Sequence, residues 1–113
     1  MEMNISFDLI VSIVSKGGCA SVVNASKSAG AEGGTIIPGR GTGIRENMKF
    51  WGIPIEPEKD IVLTIVPQDR TQKVLAAILE QCKLNQPGAG IAFVLALKTV
   101  AGICHICSKS EED

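Results

Sequence analysis

An alternating apolar segment near the amino terminus constrains the fold more than any other feature of this chain. Between Ile5 and Val14, large apolar residues alternate with the polar residues Ser6, Asp8 and Ser12. A period of two residues is that of a β-strand, whose successive side chains point to opposite faces of a sheet. A strand of this kind needs neighbouring strands and a covering layer, so the rest of the chain must supply both.

Two later segments have the period of helices. An apolar stripe between Cys19 and Ala29 predicts a first helix, which Gly30 is well placed to end. A second helix is predicted after Pro67, capped by Asp69 together with Gln72. Its buried stripe is predicted to contain Val74, Leu75, Ile78, Leu79 and Cys82.

Three further strands complete the pattern, at 35–38, 61–66 and 91–98. The order strand, helix, strand, strand, helix, strand predicts an α+β, ferredoxin-like βαββαβ fold, with both helices on one face of an antiparallel sheet. At 113 residues the chain is expected to form a single domain, 1–113. We expect the sheet face without helices to be apolar and to meet another subunit. The residues assigned to that face are Ile10, Val14, Val62, Val66, Ala92, Val94 and Ala96.

Composition excludes several classes of function. A formal net charge of -1, from 11 basic and 12 acidic side chains, argues against nucleic-acid binding. No basic region precedes an uninterrupted apolar run, so neither a signal peptide nor a membrane insertion is expected. Four cysteines are too few for a secreted disulfide scaffold, and a cytoplasmic location is expected. Residues 108–113 are expected to form a flexible acidic tail.

Two glycine-rich turns are candidate anion sites, because glycine lets backbone N–H groups approach a phosphate closely. The first contains Gly39, Arg40, Gly41, Thr42 and Gly43, and the second contains Gly88, Ala89 and Gly90. Glycines in such places also serve simply as turns. Whether either turn binds a ligand is left open by the residues alone.

These turns, together with the order of the elements, resemble the PII family of nitrogen-regulatory signal proteins. The resemblance covers roughly 7–103: Gly39-Arg40-Gly41 resembles the start of the family's T-loop, and 88–94 resembles its B-loop. It implies a homotrimer with adenine nucleotides held between subunits, and a T-loop, here 39–59, that docks onto a membrane transporter or a metabolic enzyme. A PII-like protein of this kind is a regulator and not an enzyme.

Several residues depart from the family pattern. Ile91 stands where the B-loop lysine is usual, Gly102 and Cys104 stand where arginines are usual, and a T-loop glutamine is replaced within Thr42-Gly43. Because cationic side chains offset triphosphate charge, their loss predicts weak ATP binding and favours ADP or AMP. The chain has no tyrosine, so uridylylation of a T-loop tyrosine is excluded.

The loop 39–59 also contains the candidate partner-binding residues Arg45, Phe50 and Trp51. Exposed aromatic side chains of this type either pack against a core or anchor a partner protein. An alternative function is that of a CutA-like trimer that binds metal through Cys104, His105 and Cys107. A strand would point the two thiols to opposite faces, so no metal site is expected there.

Overall fold

The computed structural model describes residues 5–41, 48–55 and 57–102. These residues form six strands and two helices, with a short 3₁₀ turn at Gln68–Arg70 before the second helix. In chain order the elements are β1 (Phe7–Ser15), α1 (Cys19–Ser28), β2 (Thr35–Arg40), β3 (Met48–Phe50), β4 (Ile53–Ile55), β5 (Glu58–Pro67), α2 (Thr71–Gln81) and β6 (Gly90–Leu97).

The main sheet has four strands in the order β2-β5-β1-β6, and every neighbouring pair is antiparallel. Helices α1 and α2 pack against each other and contact the central strands β1 and β5. The predicted ferredoxin-like α+β fold is therefore confirmed. The pattern identified all four strands, although β2 ends two residues later than predicted and β5 begins three residues earlier, so both extend into the base of the loop.

The helices cover the opposite face of the sheet from the one that the sequence analysis expected. Ile10, Val14, Val62 and Val66 are buried beneath the helices, and Val94 packs partly against them. The open face instead carries the odd-numbered apolar residues of these strands, including Ile65, Ile91, Phe93 and Leu95, which are 40–55% exposed. Both faces are apolar, so alternation alone did not identify the one that the helices cover.

Polar residues on the covered face explain why the prediction failed. Asp8 and Ser12 share the face of Ile10 and Val14, which was expected to lie opposite the helices, yet both are buried beneath them, with exposures of 6% and 0%. The hydroxyl group of Thr71, the first residue of α2, donates a 2.8 Å hydrogen bond to Asp8. A hydrogen-bonded carboxylate can be buried where an unpaired one cannot. The open face remains apolar, as predicted, but with a different set of residues.

The beginnings of both helices are held by carboxylates from the sheet. The predicted cap of α2 by Asp69 is wrong, because no side chain of the preceding turn caps that helix. Asp8 of β1 contacts Thr71 instead. In the same way, Asp60 of β5 accepts hydrogen bonds from the backbone N–H groups of Gly17 and Cys19, at 2.8 and 3.3 Å, at the start of α1.

This exchange of caps reflects an internal repeat in the chain. Four pairs of residues share one constant spacing and occupy equivalent places in the halves β1-α1 and β5-α2. They are Asp8 and Asp60, Ser12 and Thr64, Val14 and Val66, and Cys19 and Thr71. Each half supplies the carboxylate that holds the first turn of the other half's helix. The two halves therefore stabilise each other by more than their shared apolar core.

The loop 39–59 contains a small hairpin that the sequence did not predict. Strands β3 and β4 pair through Met48, Lys49 and Phe50 with Ile55, Pro54 and Ile53, and Trp51 and Gly52 connect them. Both connecting residues have positive φ, 55° and 77°. This is the signature of a two-residue type I′ turn, whose twist matches that of paired strands.

Candidate functional site

The two glycine turns lie at the same end of the sheet but at opposite edges. Pro38, next to the first turn, is the cross-strand partner of Asp60 in β5. Asp60 is in turn the cross-strand partner of Val14 in β1. On its other side, Val14 pairs with Gly90 of β6. Three strand spacings, about 14 Å, therefore separate the turns within one chain. Of the predicted site residues, Thr42 and Gly43 lie outside the described residues.

An open pocket of about 510 Å³ lies at the edge that carries the first turn. It is lined by the end of β2, the beginning of β5 and the residue that follows β1. The lining residues are Lys16, Pro38, Gly39, Arg40, Glu58, Lys59 and Asp60. The structure thus brings Gly39 and Arg40 together with charged side chains that the sequence analysis did not select.

Lys16 and Glu58 form an ion pair at the mouth of this pocket. Their Nζ and Oε1 atoms are 2.7 Å apart, and the two side chains are 71% and 51% exposed. The hydrogen bond between them, followed by their opposite charges, raises the pKa of Lys16 and lowers that of Glu58. The backbone N–H of Lys16 also donates to the carbonyl of Glu58 at 3.3 Å. The beginning of β5 is thereby tied to the turn after β1.

Asp60 is the most highly connected acid of the pocket. It accepts hydrogen bonds from the backbone N–H groups of Gly17 and Cys19, and the Cys19 thiol also acts on its titration. The thiol contact is the main cause of the lowered pKa of Asp60, and the same contact raises the pKa of Cys19. A thiol with a raised pKa is a poor nucleophile, so these surroundings do not favour covalent chemistry at Cys19.

The backbone donors expected at the glycine turns are partly used within the chain. The N–H of Gly41 donates to the carbonyl of Pro57 at 3.2 Å, and that of Ala89 donates to Gln86 at 3.2 Å. At Gly90, φ is +140° and an added Cβ would stand 2.7 Å from the carbonyl oxygen of Ile13. Gly90 is therefore required by the close approach of its backbone to β1.

A second, smaller groove of about 250 Å³ lies near the B-loop-like turn. Ala89 contributes to it, together with the turn before α1 and the end of α2. The lining residues are Val14, Ser15, Lys16, Gly18, Ser21, Gln81, Cys82, Lys83 and Ala89. Lys16 lines both cavities, so it links the two ends of the candidate site.

The departures from the family pattern that the structure describes lie away from both cavities. Ile91 is on the open face of the sheet and is 55% exposed. Gly102 follows β6 with φ at +95°. Neither residue lines either of the two cavities described above.

The partner-binding candidates are described only in part. Trp51 is 87% exposed at the turn of the hairpin, and its neighbour Ile53 is 64% exposed. The backbone of Phe50 lies in β3, and Arg45 lies outside the described residues. The hairpin thus presents a large aromatic side chain to solvent at its tip.

The metal hypothesis falls on residues that the structure does not describe. Cys104, His105 and Cys107 all lie beyond residue 102, as does the predicted tail 108–113. Among the described residues, no group of three histidine, cysteine or acidic side chains is close enough to hold a metal ion. Within the same ranges, no helix has the length and apolar character needed to cross a membrane.

Sequence reasoning missed Lys16, Glu58 and Asp60. Lys16 and Asp60 are far apart in the chain, and only the pairing of β1 with β5 brings them together. The internal repeat was the available signal, because it equates Asp60 with Asp8 and Cys19 with Thr71. Two acids at equivalent strand positions, each facing a donor at a helix start, indicate a shared structural role.

Comparison with known proteins agrees with this architecture. The family model of nitrogen regulatory protein P-II matches residues 7–105. Among solved structures, the fold is similar to that of Arabidopsis thaliana PII bound to citrate, with a TM-score of 0.66 and 22% sequence identity. The similarity covers 87% of this chain and 81% of the Arabidopsis chain. No curated protein matches the sequence. Since the family model spans most of the chain, this protein belongs to the nitrogen regulatory protein P-II family.

Proposed function

We propose that this protein is a trimeric signal-transduction protein of the P-II type, without enzymatic activity, that works in the cytoplasm. It senses a small anionic effector and regulates a partner protein. The observation that carries the proposal is the division of the site between two sheet edges, next to an open apolar face. Packing of that face against other copies places one chain's first turn beside another chain's second turn, which completes the site.

The effector in this proposal is a nucleotide less charged than ATP, namely ADP or AMP. Arg40 lies in the pocket with Gly39, and Gly88, Ala89 and Gly90 form the second turn. We assign nucleotide binding to these residues together with Gly41, Thr42 and Gly43. The related Arabidopsis protein was crystallised with citrate, a small polyanion, which supports an anion as the type of effector.

The output element of this proposal is the loop 39–59. Its base is built from the ends of β2 and β5, which form one wall of the pocket, so a ligand there contacts the loop directly. Its hairpin holds Trp51 exposed at the tip. We assign partner binding to Arg45, Phe50 and Trp51, and expect the partner to be a membrane transporter or a metabolic enzyme.

Titration calorimetry with ATP, ADP and AMP, each with and without 2-oxoglutarate, tests the effector. Each missing cationic contact removes about 1.5–3 kcal/mol, so two losses weaken triphosphate binding by roughly a hundredfold or more. We expect ADP or AMP to bind at least as tightly as ATP, with no enhancement by 2-oxoglutarate. Tight Mg-ATP binding that 2-oxoglutarate strengthens would contradict the assignment. Absence of binding by all three nucleotides would remove the nucleotide from the proposed function.

A further inference from the structure

The pocket at the base of the loop contains charges of both signs. Lys16, Arg40 and Lys59 supply positive charge, while Glu58 and Asp60 supply negative charge. An anion that enters this pocket is repelled by two carboxylates. Each carboxylate must either be neutralised by contacts within the protein or move away from the ligand. The contacts of the two acids decide which of them can move.

Asp60 is committed to the fold. Its Oδ2 atom accepts from two backbone N–H groups at the start of α1. Moving this carboxylate would leave the first turn of α1 without its cap. Loss of an N-terminal cap destabilises a helix appreciably. Asp60 is therefore a fixed part of the pocket wall.

Glu58 is held differently. The side-chain contact that the structure shows for it is the ion pair with Lys16, and both partners are more than half exposed. Exposed ion pairs contribute little to stability, so an anion can replace the carboxylate at Lys16 with little loss. The pair also keeps the positive charge of Lys16 at the pocket mouth.

We propose that Glu58 is an internal competitor for the effector: a phosphate-bearing ligand binds this pocket by displacing the Glu58 carboxylate from Lys16. The inference rests on the proposed function, because it concerns how the same site takes its ligand. It also adds Lys16, which the sequence analysis did not select, as the principal cationic contact. The N–H of Gly41 is already bound to Pro57, so that backbone donor is not free to supply the contact.

Displacement of Glu58 reaches the loop through the backbone. Glu58 is the first residue of β5 and lies opposite Arg40, the last residue of β2. Its carbonyl also accepts the N–H of Lys16. When the ion pair between Lys16 and Glu58 opens, the beginning of β5 loses one of its contacts with the turn after β1. Ligand binding therefore loosens the base of the loop 39–59, which is the element that contacts the partner in the proposed function.

The test compares Glu58→Gln with Glu80→Gln in the full chain. Both variants remove one exposed carboxylate, but Glu80 lies on α2 and lines neither cavity. The probes are ADP, pyrophosphate and adenosine. Pyrophosphate carries the phosphate charge without the nucleoside, and adenosine is the nucleoside without phosphate. We expect Glu58→Gln to tighten ADP and pyrophosphate binding about two- to fivefold, and adenosine binding to stay unchanged. Glu80→Gln should bind all three probes as the wild type does.

A double-mutant cycle with Lys16→Gln separates competition from general electrostatics. If Glu58 acts through Lys16, then Glu58→Gln should change affinity less than about twofold once Lys16 is already glutamine. Hydrogen exchange of the Lys16 and Gly41 amides, which hold the ends of β5 and β2, should be faster in Glu58→Gln than in the wild type. The exchange measurement tests the loosening of the loop base without any ligand.

The outcomes of the proposal and of the proposed function are distinguishable. Binding of ADP or pyrophosphate with equal affinity by the wild type and Glu58→Gln overturns the competitor role and leaves nucleotide sensing intact. Binding of pyrophosphate alone, tightened by Glu58→Gln, supports the competitor role and removes the nucleotide from the proposed function. Failure of every variant to bind either phosphate probe overturns both.

Discussion

Two threonines in the part of the chain that the structure describes are buried, and their hydroxyl groups have opposite surroundings. Thr71 is 2% exposed and donates to Asp8 at 2.8 Å. Thr64 is fully buried, and its hydroxyl oxygen has no hydrogen-bond partner, as is also true of Ser12, its equivalent in the repeat. A buried hydroxyl without a partner has lost its contacts with water and gained none in return.

The same substitution should therefore have opposite effects at the two positions. Thr64→Val removes an unpaired hydroxyl at nearly constant volume and should raise the free energy of unfolding by up to about 1 kcal/mol. Thr71→Val leaves the buried Asp8 carboxylate without its hydrogen-bond donor. This change should lower the free energy of unfolding by about 1–3 kcal/mol. Urea denaturation of both variants measures the difference. Destabilisation of similar size at both positions would show that Thr64 has a partner, such as a buried water.

The Asp60 cap gives stability a dependence on acid pH. Its pKa is lowered in the folded chain, mainly by the Cys19 thiol. A carboxyl group with a lowered folded pKa stabilises the fold above its unfolded pKa, and this contribution disappears as pH falls through the folded value. Thermal melts between pH 7 and pH 2 should show a fall in the melting temperature below about pH 4.

Asp60→Asn should lower the melting temperature at neutral pH and reduce that acid-dependent loss. Asp69→Asn is the matched control, because Asp69 is an exposed acid beside the start of α2 that caps neither helix. It should melt as the wild type does across the range. Equal effects of the two variants would argue against the cap and for a general charge effect.

Local sequence could not identify either cap. Asp69 stands in the right place before a helix, and Gln72 follows at the right distance, yet a 3₁₀ turn intervenes. The carboxylate that contacts the first turn is that of Asp8, through the Thr71 hydroxyl. The correct partner lies on another strand and becomes a neighbour only when the sheet forms. Local patterns identify the elements well because their period is local, but they carry no information about contacts across the sheet.

At the scale of elements, the hairpin of β3 and β4 combines a favourable turn geometry with an unfavourable residue. A type I′ turn needs positive φ at both central positions, where Asn and Gly are preferred. Gly52 satisfies this, whereas Trp51 has φ of 55°, which strains a bulky residue. The tryptophan also remains 87% exposed, so apolar burial within the described chain does not offset the strain.

Trp51→Asn should therefore leave the melting temperature unchanged or raise it slightly, because Asn accepts the left-handed conformation more readily. In the wild type, Trp51 fluorescence should have the long-wavelength emission of a solvated ring and be quenched efficiently by acrylamide. A blue-shifted emission with a large stability loss in Trp51→Asn would mean that the ring packs against another surface, such as a second subunit.

At the scale of the whole molecule, the open sheet face determines the state of the protein in solution. Ile65, Ile91, Phe93 and Leu95 all expose at least 40% of their surface there. A contiguous apolar surface of this kind is unusual on a monomer and is typical of an interface. The trimer of our proposal buries it.

Leu95→Glu should dissociate the assembly, because it places a charge within that apolar surface. Leu79→Glu is the matched control: Leu79 is 46% exposed, close to the 49% of Leu95, but lies on α2, on the other side of the sheet. Light scattering should give three chains per particle for the wild type and Leu79→Glu, and a smaller particle for Leu95→Glu. A monomeric wild type would refute the assembly.

The fold could be predicted from the sequence, whereas the pocket could be predicted only in part. Gly39 and Arg40 were found because a turn is a local feature. Lys16 was not found, because it contacts Glu58 across the pairing of β1 with β5. The choice between the two apolar faces failed for a similar reason, since it depended on the burial of Asp8 by a helix from the other half.

The exchanged carboxylates have a consequence for how the chain folds. Asp60 contacts the start of α1 and Asp8 contacts the start of α2, so each helix start is held by a carboxylate from the opposite half. Both ends are finished only after β1 has closed on β5 over a long stretch of chain. Long-range closure of this kind slows folding. We therefore expect one cooperative folding step with a transition state centred on that strand pair, and no separately folded half.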